Sequence, residues 1–470
     1  MVQRVDGEQI TSFVKRRKEK KMKKFFALFL VVAMVLSCVA CQPQENPENP
    51  VNTNEPATTG EPTVDTDVTI RFWQAGGDTA DAQSTMLSLI DGFTAETGIK
   101  VDFQTYPWSA DPHTAFSTSI VGGDVADLLI VGSPFDQQLA MNGQVIALDE
   151  YISDEVKADL QGVFANECIY YGEGDLDGKY ISMPLYGGAR TIYYNKAIFD
   201  AAGVAYPDTS WTMEEFYENS KKLTGEFEIN GEKKTVYGFA TSAKYASQYL
   251  PFIWNFGGEI LTQDNSAAAI NSAEWKAGVE YYLKFFEDGI TPPGSEAMDL
   301  AEQQAMFMDD QVAMMTATVD YVTEILKNEG WDAKLGVGYM PNQNGLATSF
   351  VGADVFVIPT ASQYPAQAGM LIDYLLGTES QIAYAKAVGF TPAVKSAMED
   401  EAIATDPVQV AFAAALEGGK FYAKVSVSSM ITVILRENIQ SLLANEITLD
   451  QYAEDAETRI NQALAEAAAE

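Results

Sequence analysis

Cysteine and histidine are nearly missing from this chain. Its 470 residues include three cysteines (Cys38, Cys41 and Cys168) and one histidine, His113. Cys168 has no partner in the part expected to fold, so there is no disulfide framework. Zinc sites built from His and Cys are excluded for the same reason, and no metal or cofactor is expected. A Ser-His-Asp triad would need His113, which stands in a loop-like PWSADPH stretch with no nucleophile elbow nearby. Positive charge is scarce too: 30 Lys+Arg face 66 Asp+Glu, a net charge of -36. Past Cys41 the only arginines are Arg71, Arg190, Arg436 and Arg459. Such a field repels a phosphate backbone, which argues against nucleic acid as a partner. A phosphate or sulfate ligand would also lack its usual cluster of basic groups. What the chain does have is a hydrophobic share of 47% and an aromatic share of 11%. That is enough for a real core, and the length suits two or three domains.

Residues 21–41 read KMKKFFALFLVVAMVLSCVAC. Basic residues precede a short apolar run that ends in small residues and cysteine, the layout of a signal peptide rather than a membrane span. The end resembles the lipobox of bacterial lipoproteins, whose cysteine is diacylated and becomes the mature N-terminus. Two frames compete. Cys41 has the usual spacing, with Cys38 where leucine is normal, and Cys38 has the better-fitting residue classes before it. Cys41 is preferred. Residues 1–21 hold no apolar run of their own, and a true start at Met22 stays open. Residues 42–66 are rich in Pro, Asn, Thr and Glu and read as a disordered tether.

Folded structure is expected from about Val68. Val68–Trp73 reads as a strand and Ala82–Glu96 as a helix by its apolar spacing, with Gly98 just past its end. Ile99–Tyr106 alternates as a strand, and Asp127–Val131 is wholly apolar after its opening aspartate, as a strand covered on both faces should be. Thr212-Met213-Glu214-Glu215 is a capping box. Val236–Ala240 reads as a further strand. Strand–helix alternation of this kind argues for α/β architecture with mostly parallel sheets flanked by helices. The stretch Met183–Phe199 stands out. Tyr186, Gly187, Gly188 and Arg190 precede the buried-strand run Ile192–Tyr194, as where a chain leaves one packed unit for another.

In order, the chain shows Gly122–Asp127, Pro184 to Lys196, Ser210-Trp211, Trp254 to Gly258, Phe307–Met314, Val351 to Asp354 and Gly377 to Gln381. This series resembles the family 1 extracellular solute-binding proteins of ABC importers, the group containing the maltose-binding proteins, over roughly residues 66–465. Asp320-Tyr321 stands where that family often has a glycine-tryptophan pair. The resemblance implies a two-lobe periplasmic-binding-protein-like (type II) fold with a ligand cleft between the lobes. Lobe 1 would be residues 67–184 plus 352–393, and lobe 2 residues 185–351 plus 394–470. The crossings would fall near Pro184–Gly188, Phe350–Gly352 and Pro392–Ser396. It implies a lipid-anchored monomer on the outer face of a Gram-positive-type cell membrane. That monomer would bind a solute and hand it to ABC importer permease subunits, without catalysis.

A sugar offers hydroxyls for hydrogen bonds and an apolar face for aromatic rings. Aromatic residues at strand ends beside Asp, Asn, Gln or Arg are therefore the candidates: Trp73, Gln74, Asp78, Trp108, Ser133, Tyr186, Arg190, Trp254, Asn255, Tyr321 and Asp354. The resemblance places Trp73, Ser133, Arg190, Trp254, Tyr321 and Asp354 nearest to the family's ligand-binding positions. A neutral mono- or oligosaccharide is favoured. A polyamine, polyol phosphate or peptide remains open, as does a surface glycoside hydrolase, which would need two carboxylates ~5–9.5 Å apart.

Overall fold

The computed structural model describes residues 64–468 apart from 173, 344 and 346. The expected signal peptide, both candidate lipidation cysteines and nearly all of the expected tether lie outside the described residues. Among those residues no helix is long and apolar enough to cross a membrane.

The strands are β1 (Thr69–Ala75), β2 (Lys100–Tyr106), β3 (Leu128–Gly132), β4 (Met183–Ala189), β5 (Thr191–Asn195), β6 (Gly225–Ile229), β7 (Glu232–Val236), β8 (Met314–Ala317), β9 (Leu335–Gly338), β10 (Ser349–Val357), β11 (Thr391–Pro392) and β12 (Gly419–Lys420). The main sheet runs β11-β4-β10-β3-β1-β2, with β12 on β10, and a second sheet runs β8-β5-β9. β1, β2 and β3 are parallel, as the strand–helix alternation predicts. Helix Ala80–Thr97 follows β1, capped by Thr79 and ended by left-handed Gly98.

Strand direction is more mixed than expected. β10 runs antiparallel to both β3 and β4, and β5 is antiparallel to β8 and β9. The reason is connectivity: β4 leaves the main sheet and β10 re-enters it, so the two cross in opposite senses. The main sheet holds all of Met183–Ala189 and the second sheet begins at Thr191, so the crossing residue is Arg190, beyond Pro184–Gly188. The strand expected at Val236–Ala240 is shifted as well. β6 and β7 form a hairpin through Asn230-Gly231, both at positive φ, while Tyr237 and Ala240 make only isolated bridges. Asn-Gly is the usual signal of such a two-residue turn.

Two apolar cores result. One gathers β1, β3, β4 and β10 with helices Ala80–Thr97 and Pro365–Leu376. The other is an aromatic cluster centred on Phe216, Phe239, Phe252 and Phe285, closed by the C-terminal helices Ser428–Leu443 and Leu449–Ala467. Trp275 Nε1 donates to the Tyr452 hydroxyl at 3.2 Å, pinning the last helix there. The second sheet is shared: Ile192 and Tyr194 face the aromatic core, while Tyr193 faces the first.

Candidate functional site

The crossing strands frame a cleft of about 550 Å³, within the ~300–1,000 Å³ usual for small-molecule sites. In the β4–β10 register Tyr186 lies opposite Asp354 and Gly188 opposite Gly352. The Tyr186 hydroxyl donates to Asp354 Oδ2 at 2.5 Å. The Tyr186 ring stacks on Phe390, with centroids 4.2 Å apart and planes 10° from parallel, and lies 5.8 Å from Tyr384. Burial pushes the Tyr384 hydroxyl up to about 12, the Gln74 hydrogen bond opposing and Asp354 adding. All these aromatics line the cleft.

Arg190 occupies the crossing. Its amide donates to Ser349 Oγ at 2.9 Å, and Ser349 Oγ donates back to the Arg190 carbonyl at 2.7 Å. One hydroxyl thus staples the two crossing strands where the cationic side chain enters the cleft. Next along β10, Phe350 lines the cleft and stacks behind on Trp254, with centroids 6.3 Å apart.

Across the mouth, Trp108 stands 47% exposed. It is seated edge-on against His113 at 5.4 Å, and His113 stacks on Phe135 at 4.1 Å. His113 Nε2 accepts from the Gly132 amide at 3.1 Å. Burial, against a weaker pull from Asp111, lowers the imidazole to about 4. It is therefore neutral, with its proton on Nδ1. Ser133, after β3, donates its hydroxyl to Glu167 at 2.6 Å.

Six of the eleven candidate residues thus line one cleft: Asp78, Trp108, Ser133, Tyr186, Arg190 and Asp354. The other five do not line it. Trp73 packs in the first core against Tyr106 and Phe116, 9% exposed. Gln74 is fully buried beneath the wall and donates to the Tyr384 hydroxyl at 3.2 Å. Asn255 accepts from the Thr348 amide at 3.1 Å and donates to the Pro251 carbonyl at 3.0 Å, which fixes the approach to β10. Trp254 is inside helix Ala246–Asn255, not at a strand end, and lies behind Phe350. Tyr321 is on helix Asp320–Leu326, between the cleft-lining Thr318 and Thr323. Sequence reasoning missed Phe350, Phe390 and Tyr384. Phe350 opens one expected crossing and Phe390 stands two residues before another, and that position was the available signal.

The sequence matches the family described as bacterial extracellular solute-binding protein over residues 76–382. The chain belongs to that family. A protein of Brucella abortus named only as a binding protein is 26% identical over 377 residues, covering 79% of this chain and 88% of the relative. The diacetylchitobiose-binding protein DasA of Streptomyces coelicolor is 21% identical over 328 residues, 69% of this chain and 73% of its own. Among solved structures, the sugar-binding protein MalE of Xanthomonas citri superposes with a TM-score of 0.73 at 20% identity, covering 85% of this chain and 98% of that one. These likenesses establish the two-lobe solute-binding fold. Among the described residues no group of three or more His, Cys, Asp or Glu could hold a metal ion.

Proposed function

We propose that this solute-binding protein takes a neutral mono- or oligosaccharide into the cleft between its lobes and passes it to the permease of an ABC importer. The observation that carries this reading is the pairing of flat aromatic faces with hydrogen-bonding groups in one cleft. Phe390, Phe350 and Trp108 supply the faces, and Ser133, Arg190, Asp354 and Asp78 the polar groups. A pyranose has the matching chemistry. Relatives named for diacetylchitobiose and maltotriose binding support the class.

In this reading one lobe is built on the β1–β4 sheet and the other on β5, β8 and β9. Binding favours the closed state, which docks on the permease. No bond is made or broken. The protein works as a monomer outside the cytoplasm, held to the membrane through a diacylated Cys41 and the 42–66 tether. The family's extracellular character supports the location.

Thermal unfolding against maltotriose, diacetylchitobiose and monosaccharides tests the ligand class. A ligand at ~100 times its dissociation constant stabilises the folded state by about 2.7 kcal/mol, a readily measured shift. A second reading, a cationic solute such as a polyamine, draws on Asp78, Asp81, Glu324 and Asp354, which outnumber the cleft-lining cations Arg190 and Lys327 among the described residues. A shift with spermidine alone, fading steeply with salt, would replace the first reading with the second.

A further inference from the structure

Beneath the cleft wall is a group of ionisable side chains that solute contact does not explain. Glu167 ends helix Gly162–Glu167 and is 2% exposed. One carboxylate oxygen accepts the Ser133 hydroxyl at 2.6 Å, and the other lies 3.1 Å from Lys424 Nζ. Lys424 also donates to the Asn166 carbonyl at 2.6 Å. Asp136, fully buried, accepts from Ser182 at 2.7 Å, and the Cys168 thiol is buried beside it. Lys424 comes from segment 421–427, which both cores share: Phe421 packs against the first, and Tyr422, Ala423 and Val425 against the second.

We propose that Glu167 is a positioning residue of the cleft: it accepts the hydrogen bond of the Ser133 hydroxyl, so that only oxygen lone pairs face the solute, and through Lys424 it ties that wall to the segment shared by both cores. This rests on the cleft being the solute site. A hydroxyl has one proton to give and two lone pairs. An ionised carboxylate only accepts, so it commits the Ser133 proton. A protonated Glu167 can donate to Ser133 instead and release that proton towards the cleft. The polarity of Ser133 therefore follows the charge on Glu167.

Burial pushes Glu167 up to about 7, with Lys424 opposing, Asp136 adding to the rise and the Ser133 hydrogen bond opposing. Asp136 is itself raised by burial, against its bond from Ser182. Cys168 is raised by burial and stays a thiol. The charge on Glu167 thus changes near neutral pH, and Asp136, Lys424 and Cys168 are the ionisable groups that face it.

The test is a carbon-13 NMR titration of the Glu167 carboxyl in wild type, Ser133→Ala, Ser133→Thr and Lys424→Met. Removing the hydroxyl or the ammonium raises the titration midpoint, and threonine, which keeps a hydroxyl, restores it. An unmoved midpoint in Ser133→Ala overturns the proposal. In parallel, maltotriose binding is measured calorimetrically above and below the Glu167 midpoint. Wild-type affinity falls as Glu167 protonates, and Ser133→Ala flattens that dependence while Ser133→Thr keeps it. The same pH dependence in wild type and Ser133→Ala also overturns it. If wild type binds no maltotriose at any pH, the sugar reading suffers and the carboxyl titration alone decides the role of Glu167.

Discussion

Trp108 gives the sharpest test of the cleft. Its ring leans on His113 and fits over Gly76 and Gly132, yet 47% of it remains in solvent at the mouth. An aromatic side chain of this size buries up to ~250 Å², so about 100 Å² is left for a ligand to cover. At ~25 cal/mol per Å² that is about 2.5 kcal/mol, or roughly 70-fold in affinity. Full burial of a tryptophan loses ~3–5 kcal/mol on truncation to alanine, so a half-covered ring loses about half that in stability. Trp108→Ala should therefore fold, melt somewhat lower and bind far more weakly by calorimetry with the sugar that shifts wild type. A companion variant moves the ring without deleting it. A Cβ on Gly76 would sit 2.4 Å from Trp108 Nε1, at a φ of +69° that already disfavours a side chain. Gly76→Ala should reproduce much of the binding loss. If Trp108→Ala binds within threefold of wild type, the exposed ring is not a ligand platform and this reasoning fails.

Further perturbations separate packing from binding. A Cβ on Gly278 would lie 2.5 Å from the Ile253 Cα, where helices Ala246–Asn255 and Ala273–Glu287 meet. Gly278→Ala should therefore lower stability by about 1–3 kcal/mol, read by urea unfolding, with affinity intact. Glu167 makes stability fall as pH rises. Between its unfolded value near 4.5 and its folded value of about 7, the folded state keeps a proton that the unfolded chain has released, which comes to roughly 3 kcal/mol above that window. His113 acts in the opposite sense: its contribution is full above 6.5 and is lost as pH falls to about 4. The wild-type profile mixes the two, so the readout is the difference between wild type and Glu167→Gln. That difference should move in favour of the variant as pH rises, and a constant difference would refute the assignment.

The fold was legible where residues repeat at the period of one element. The β1, helix, β2 and β3 segments carry apolar spacing and caps within a few residues of one another, so local physics set them. The cleft was legible in part, because Tyr186, Arg190 and Asp354 bracket glycines at the crossings. Trp73 and Trp108 show where sequence stops. By sequence both stand at or just past an expected strand end beside polar residues, yet Trp73 lies inside β1, buried against Tyr106 and Phe116, and Trp108 is half in solvent. Which ring faces the cleft depends on helix Pro112–Gly122, whose Phe116 covers Trp73 and whose His113 props Trp108, and that packing has no trace in strand periodicity. Trp254 was misplaced for a different reason. Pro251 argues against a helix interior, yet it stands sixth of ten residues inside a helix buried along its whole length, where packing outweighs the backbone hydrogen bond that proline removes.

The glycines beside the crossings decide whether the strands themselves are the ligand floor. A Cβ on Gly187 would fall 2.0 Å from the Phe164 ring, so that glycine exists to admit Phe164. Its neighbour Gly188 would meet nothing closer than Phe390 at 3.6 Å, and Gly352, opposite it in register, nothing closer than Phe350 at 3.9 Å. Both line the cleft, and neither has the positive φ that would strain a side chain. Gly187→Ala should thus destabilise the fold, whereas Gly352→Leu should fold normally and fill the floor with carbon. A single methylene too many in a filled pocket costs ~1–3 kcal/mol, roughly 10- to 200-fold, and leucine adds several. Calorimetry with the sugar that shifts wild type should show binding lost in Gly352→Leu at a near-wild-type melting temperature. Unchanged affinity in that variant would mean that the solute does not rest on β4 and β10, and the site would have to be sought elsewhere on the molecule.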